Sequence, residues 1–247
     1  MPLHDWTRVE AYAYHDFRIG WLVAIRRVLN DGALPPGYYA RAEQTLRTMG
    51  PDVLTLQSKE PDTTRPGGTV LTVPAAPPRV AIAATGAPRV PAFAQKRLAI
   101  RHSSDDRLVA IVELVSPGNT SSAQPLREFV KKVVTAVDAG IHALVIDPFP
   151  PGKRDPNGLH GVIWPRLGGA PYTRPDDKPL ALAAYESGDA AGSPHRCYVQ
   201  PLAVGDPLPD MPLFLRPDEY VYAPLERAYQ AAYADVLPQD RAKLEPR

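Results

Sequence analysis

The stretch VELVSPGNTSSAQPLREFVKKVVTAVDAGIHALVIDP, Val112 to Pro148, decides the fold. It begins inside LVAIVELV, a β-prone run in which Glu113 is the single charged residue, and Pro117-Gly118-Asn119 breaks that run. From Pro125 to Ala139 the apolar residues Leu126, Phe129, Val130, Val133 and Val137 recur at spacings of three and four, the period of one helix face. Pro125 suits a first helical turn and Gly140 a C-terminal cap. HALVIDPF follows at once as an apolar strand. Strand, crossover-length helix, strand predicts a parallel pair joined through the helix.

The flanking chain extends this pattern. Gln95–His102 and Arg107–Val115 read as a hairpin turning at SSDD. Tyr38–Leu46 alternates weakly as a strand, and DVLTLQ, opening at Pro51-Asp52, is a short β-prone run. Phe17, Trp21, Ala24, Ile25 and Val28 place a helix over His15–Leu29. PLALAAYES and HRCYVQPLAV read as strands, and Tyr220–Val236 as a C-terminal helix starting near Pro224. The expectation is an α/β protein, a single domain over 1–247 with a proline-rich excursion at about 58–95 and a C-terminal extension at about 150–247.

Composition narrows the class. The chain has 247 residues, with 28 Lys+Arg against 27 Asp+Glu, so it has no global basic field of the kind common in DNA-binding domains. Cys197 is the only cysteine, which excludes an internal disulfide and any cysteine zinc cluster. No run approaches the ~18–20 apolar residues of a membrane span, and MPLHDWTRVE lacks a signal-peptide core. A soluble, cytoplasmic protein with no membrane partner is expected. The 30 prolines gather in TVPAAPPRV, GAPRVPAF, IDPFPPGKRDP and VGDPLPDMPLFLRP, read as stiff loops wrapped on a domain.

Glu113 raises the chemical question. A carboxylate in an apolar strand loses hydration, and a cation, a hydrogen-bond network or a place at the wet strand end has to offset that cost. Asp52 opening one strand, Glu113 late in another and the lysines of the next helix form, in outline, a metal-dependent phosphodiester-cleaving pattern. Two carboxylates can hold Mg²⁺ or Mn²⁺, the metal activates a bound water, and a lysine adds a point charge beside the phosphate. The separation of Asp52 and Glu113, 113 − 52 = 61 residues, requires the proline-rich segment to leave and rejoin the sheet. No G-x-x-x-x-G-K-[ST] loop and no G-x-S-x-G elbow is present.

VELVSP, the following helix and GIHALVIDP are similar to the core of the PD-(D/E)XK nuclease-like superfamily, especially its Uma-type members. Along nearly the whole chain the sequence resembles the bacterial family called domain of unknown function 4058, through MPLHDWTRV, LPPGYYARAEQ…GPDVLTLQ, VELVSPGN, GIHALVID, PFPPGKRDPNGLHG and VGDPLPDMPLFL. The resemblance implies a restriction-endonuclease-like mixed sheet flanked by helices. It implies Asp52 and Glu113 as catalytic acids and metal ligands, Glu43 as a further upstream ligand, and Lys132 as the lysine migrated from the strand to the helix. Two departures stand out: Val115 occupies the usual strand position of that lysine, and Thr120 stands where relatives commonly carry lysine after Ser-Pro-x-Asn.

Each residue also has a plain structural reading. Glu113 can be half of an ion pair with Lys132, Arg101 or Arg107. Asp52 can open a strand, Lys131 and Lys132 can form a solvated helix edge, and Asp147 can cap the turn at Pro148. His142 reads as a core or hydrogen-bonded residue, and His160 as a loop residue able to line a site. Two functions follow: a Mg²⁺- or Mn²⁺-dependent phosphodiesterase or nuclease acting on nucleic acid, or a binding or scaffolding protein that keeps the fold without the chemistry.

Overall fold

The structure is a computed structural model that describes residues 3–46, 94–188 and 193–245. Backbone contacts divide the chain into two units, Met1–Thr45 with Lys96–Arg247, and Leu46–Gln95. Asp52, DVLTLQ, TVLTV and RVAIAA lie outside the described residues.

In chain order the first unit runs α1 (Ala11–Val28), β1 (Tyr38–Leu46), β2 (Ala94–His102), β3 (Arg107–Leu114), α2 (Pro117–Thr120), α3 (Ala123–Asp138) and β4 (His142–Asp147). It continues through α4 (Gly158–Ile163), β5 (Leu180–Glu186), β6 (Arg196–Leu202), β7 (Met211–Arg216), β8 (Glu219–Ala223), α5 (Leu225–Tyr233) and α6 (Pro238–Leu244). The six-stranded sheet has the order β1-β2-β3-β4-β5-β6, and β7-β8 form a separate ribbon. Strand β2 pairs antiparallel with β3, the expected hairpin. Strand β3 pairs parallel with β4, with Glu113 opposite Val145, as the crossover through α3 requires. The pairings β4-β5 and β5-β6 are antiparallel, so the sheet is mixed.

Helix α3 forms where its apolar stripe predicts and stops where glycine permits. Gly140 has φ 83°. Ile141 N–H reaches the Ala136 carbonyl at 2.9 Å and Gly140 N–H the Val137 carbonyl at 3.1 Å, the paired bonds of a left-handed helix terminator. Side-chain alternation along the strands builds two cores. Ala110, Val112, Leu114, Leu144, Ile146, Leu182 and Ala184 face α1, α5 and β7. Ile111, Val115, Ala143, Val145, Ala183 and Tyr185 face α3 and α4. Glu113, between Ile111 and Val115, therefore points to the α3 side.

Three expectations need correction. Tyr220–Val236 is not one helix: Glu219–Ala223 is β8, and the helix begins at Leu225 after Pro224. The alternating EYVYA favours a strand, and Asp218, with φ 61°, makes the turn from β7. The proline-rich segment VGDPLPDMPLFLRP is not loop throughout. It holds β7, where Pro212 is tolerated because a two-stranded ribbon leaves outward backbone positions free of a ladder. The loops after Pro148 contain α4 and the 3₁₀ turn Trp164–Leu167. Residues beyond 150 supply two strands of the main sheet, β5 and β6. No helix among the described residues is long and apolar enough to cross a membrane.

Candidate functional site

Glu113 lies one residue from the end of β3 and is 1% exposed. Its Oε2 accepts a hydrogen bond from Lys132 Nζ at 2.7 Å, a charge-assisted contact from the middle of α3. Its Oε1 is buried and has no hydrogen-bond partner among the described residues. The Lys132 ammonium also sits 4.8 Å from the centre of the Phe129 ring. Burial is the largest influence on Lys132 and pulls its pKa below the ordinary lysine value; Glu113 pulls the other way, while Arg97 and Arg18 reinforce the fall.

Two arginines that the sequence reading passed over belong here. Arg18 of α1 is buried and donates through Nε to the Leu114 carbonyl at 2.8 Å; burial lowers its pKa, and Tyr14 and then Glu113 oppose that shift. Arg97 of β2 has a buried Nε with no partner among the described residues. Charge and position did not separate these two from the other arginines of the chain. Their place is set by which strands become neighbours.

Glu43 sits on β1, and both of its oxygens are engaged. Arg101 donates through Nε to Oε1 at 2.8 Å, and Arg97 through Nη2 to Oε2 at 3.3 Å. Lys131 is exposed and lines a shallow groove on the outside of α3 with Arg127 and Arg166. The structure thus brings Glu113 and Lys132 together, holds Glu43 in an ion pair with two arginines, and sends Lys131 elsewhere. Helical spacing had left the two lysines unranked.

The turn after β3 is a structural lock. Asn119 Oδ1 accepts from Ser116 N–H at 2.8 Å and from Ser116 Oγ at 3.0 Å, closing a capping box that starts α2. From the other side of the sheet, Tyr14 OH donates to the Val115 carbonyl at 2.7 Å. The strand end carrying Glu113 is therefore held from both faces.

Asp147 points to the same side of the sheet as Glu113, two residues beyond its parallel partner Val145. Strand rise and spacing put the two Cα atoms about 8 Å apart. Asp147 accepts a hydrogen bond from Phe149 N–H at 3.4 Å, as expected for a turn-capping carboxylate. Burial pushes its pKa up to about 7, with the Phe149 amide opposing and Asp155 adding to the rise. Nearby, His160 Nδ1 and the Tyr185 hydroxyl are 2.8 Å apart, and burial lowers the His160 pKa to about 4. The Tyr172 hydroxyl, whose ring meets His160 edge-on at 4.6 Å, is buried without a partner among the described residues. His142 accepts from Ser187 N–H at 3.0 Å through Nδ1, so its proton is on the other nitrogen, and burial lowers its pKa to about 4.

As a cation ligand Glu113 fits in one respect: Oε1 is a hard anionic oxygen left without a donor. Among the described residues no group of three or more His, Cys, Asp or Glu side chains is arranged to hold a metal ion. No family model, no curated protein and no solved structure matches this chain.

Proposed function

We propose that the protein is a phosphodiester hydrolase of the PD-(D/E)XK type acting on nucleic acid, with Glu113 and Lys132 at its centre. The observation that carries this reading is the half-satisfied carboxylate: Lys132 holds Oε2 while Oε1 stays buried and unpartnered. A buried oxygen without a donor costs about 1–3 kcal/mol, more when charged, and a ligand at that atom would offset it. The resemblance of VELVSP and GIHALVIDP to that superfamily supports the same assignment.

In this reading Glu113 Oε1 would be a ligand of Mg²⁺ or Mn²⁺; the resemblance adds Asp52, which lies outside the described residues, and Glu43 would join only if it left its arginines. The metal would supply an activated water and neutralise developing negative charge. Lys132 stabilises negative charge on the phosphoryl oxygens, and Phe129 and Glu113 hold its ammonium in place before substrate arrives. Arg97, with an unused buried N–H, is a second donor toward phosphate. Burial around Lys132 excludes water and strengthens each of these interactions.

One observation favours the second function, a protein that keeps this fold and binds without cleaving. The Glu113–Lys132 contact already neutralises the buried charge through Oε2 without any ligand. The experiment that separates the two is cleavage of single- and double-stranded DNA and RNA in Mg²⁺ or Mn²⁺, with EDTA as the control. The hydrolase reading expects metal-dependent cleavage that Lys132→Ala lowers by about 10²–10³-fold and Lys131→Ala leaves nearly intact. No cleavage under any condition, together with melting unchanged by either metal, leaves the binding reading.

A further inference from the structure

A second site of different chemistry lies on the far edge of the sheet. β6 is the outermost strand, and its side chains alternate, so Tyr198 and Gln200 share a face. On the β7-β8 ribbon Tyr222 stands opposite Pro212 and Tyr220 opposite Phe214, again sharing a face. The two faces meet in a cleft of about 280 Å³ floored by buried Phe214 and walled by Tyr198, Tyr220 and Tyr222. The three tyrosines are 41%, 48% and 58% exposed, a cluster rather than scattered surface rings.

The rings are arranged as walls. Tyr198 and Phe214 lie 5.2 Å apart at 31°, Phe214 and Tyr220 5.3 Å apart at 56°, and Tyr220 and Tyr222 5.3 Å apart at 85°. Four aromatic rings packed at different angles therefore line the cleft. Among the described lining residues Asp210 is the one Asp, Glu, Lys, Arg or His, and it lies close enough to Tyr222 to act on it electrostatically. Arg196, at the start of β6, is paired with Glu186 and Asp218 and reaches the Tyr198 hydroxyl, and none of the three tyrosine rings carries a cation on its face from a described residue.

We propose that this cleft binds an organic cation, an alkylated ammonium head group held by the faces of Tyr198, Tyr220 and Tyr222 with its charge met by Asp210. Aromatic faces attract such cations through the ring quadrupole, and a soft, weakly hydrated ammonium loses little on leaving water. The volume stands at the small end of ligand pockets, which suits a head group more than a large molecule. The assignment is independent of the chemistry at Glu113.

The test is saturation-transfer NMR on the full chain with choline and with its neutral isostere 3,3-dimethylbutan-1-ol. Choline methyl signals are expected to receive saturation at concentrations about tenfold below those the alcohol needs. Asp210→Asn and Tyr222→Leu should each weaken choline binding by about tenfold, while Tyr222→Phe, which keeps the ring, retains it. Circular dichroism on each variant separates lost binding from lost folding, and these exposed positions should leave the spectrum unchanged. Equal binding of choline and the alcohol, absence of transfer from choline, or full binding by the Asp210→Asn/Tyr222→Leu double variant would each overturn the proposal.

Discussion

The two faces of the central sheet solve the burial problem in opposite ways. The α1/α5 face is mainly aromatic and aliphatic: Trp6 stacks on Phe17 at 4.0 Å, Phe17 meets Tyr229 edge-on at 5.2 Å, and His4 stacks on Tyr233 at 4.0 Å, with Arg18 as a buried cation and Trp21 Nε1 as a buried donor without a partner among the described residues. The Tyr229 hydroxyl meets His4 Nδ1 at 2.8 Å and accepts from Trp6 Nε1 at 3.2 Å, so His4 and Trp6 are used up in packing. The α3/α4 face buries Glu113 and Asp147 among valines and leaves Glu113 Oε1 and the Tyr172 hydroxyl without partners. A face built only for stability has no reason to keep a charged group there, since a well-packed apolar replacement is often as stable or more so. The buried carboxylate oxygen without a partner among the described residues, Glu113 Oε1, is on the α3 side.

The sharpest way to break this comparison is Lys132→Met. It strands Glu113 as a buried unpaired charge, and the expected loss is about 3–5 kcal/mol in urea or thermal unfolding. The double variant Lys132→Met/Glu113→Leu removes both charges and should recover most of that loss. If Lys132→Met costs under about 1 kcal/mol, the α3 face does not carry a buried ion pair of this kind.

The next effect is the pH dependence set by Asp147. Its pKa rises from 3.8 to about 7 on folding, so between those values the native state binds the extra proton and stability falls as pH rises. His142 and His160 act oppositely. Their pKa values drop from 6.5 to about 4, so stability rises with pH across that window. In the natural protein Asp147 offsets one of the two histidine slopes, so stability still rises with pH between about 4 and 6.5 and falls from there to about 7. Asp147→Asn removes the falling one, and its stability relative to the natural protein should grow by about 4 kcal/mol from below pH 4 to above pH 7, at about 1.4 kcal/mol per pKa unit. Melting curves of both proteins across that range check it; a constant difference would mean that Asp147 titrates alike in the folded and unfolded states.

Two smaller changes sharpen the contrast. Asn119→Ala opens the capping box at the end of β3 and should cost about 1 kcal/mol. Lys131→Ala, on the exposed side of α3, should stay within about 0.5 kcal/mol by the same unfolding measurement. A loss from Lys131→Ala as large as that from Lys132→Met would erase the distinction between neighbouring lysines on which the site rests.

Local elements with a strong side-chain period were legible from the order of residues alone. The stripe from Leu126 to Val137, the stop at Gly140 and the apolar strands around them predicted a parallel β3-β4 pair, because a helix of that length between two strands leaves the chain no shorter route. The sequence also singled out Glu113, since a lone carboxylate in an aliphatic strand needs a partner; only the resemblance ranked Lys132 above Lys131. The sequence did not separate strand from helix at Glu219–Ala223, where five residues are too few for period alone to decide and pairing with β7 settles the matter. Only the tertiary structure decided which lysine turns inward, that Glu43 is held by Arg97 and Arg101, and that Arg18 crosses from α1 to the end of β3. These are contacts between residues up to 96 positions apart, and they follow from which surfaces the sheet brings face to face, a quantity that no local spacing encodes.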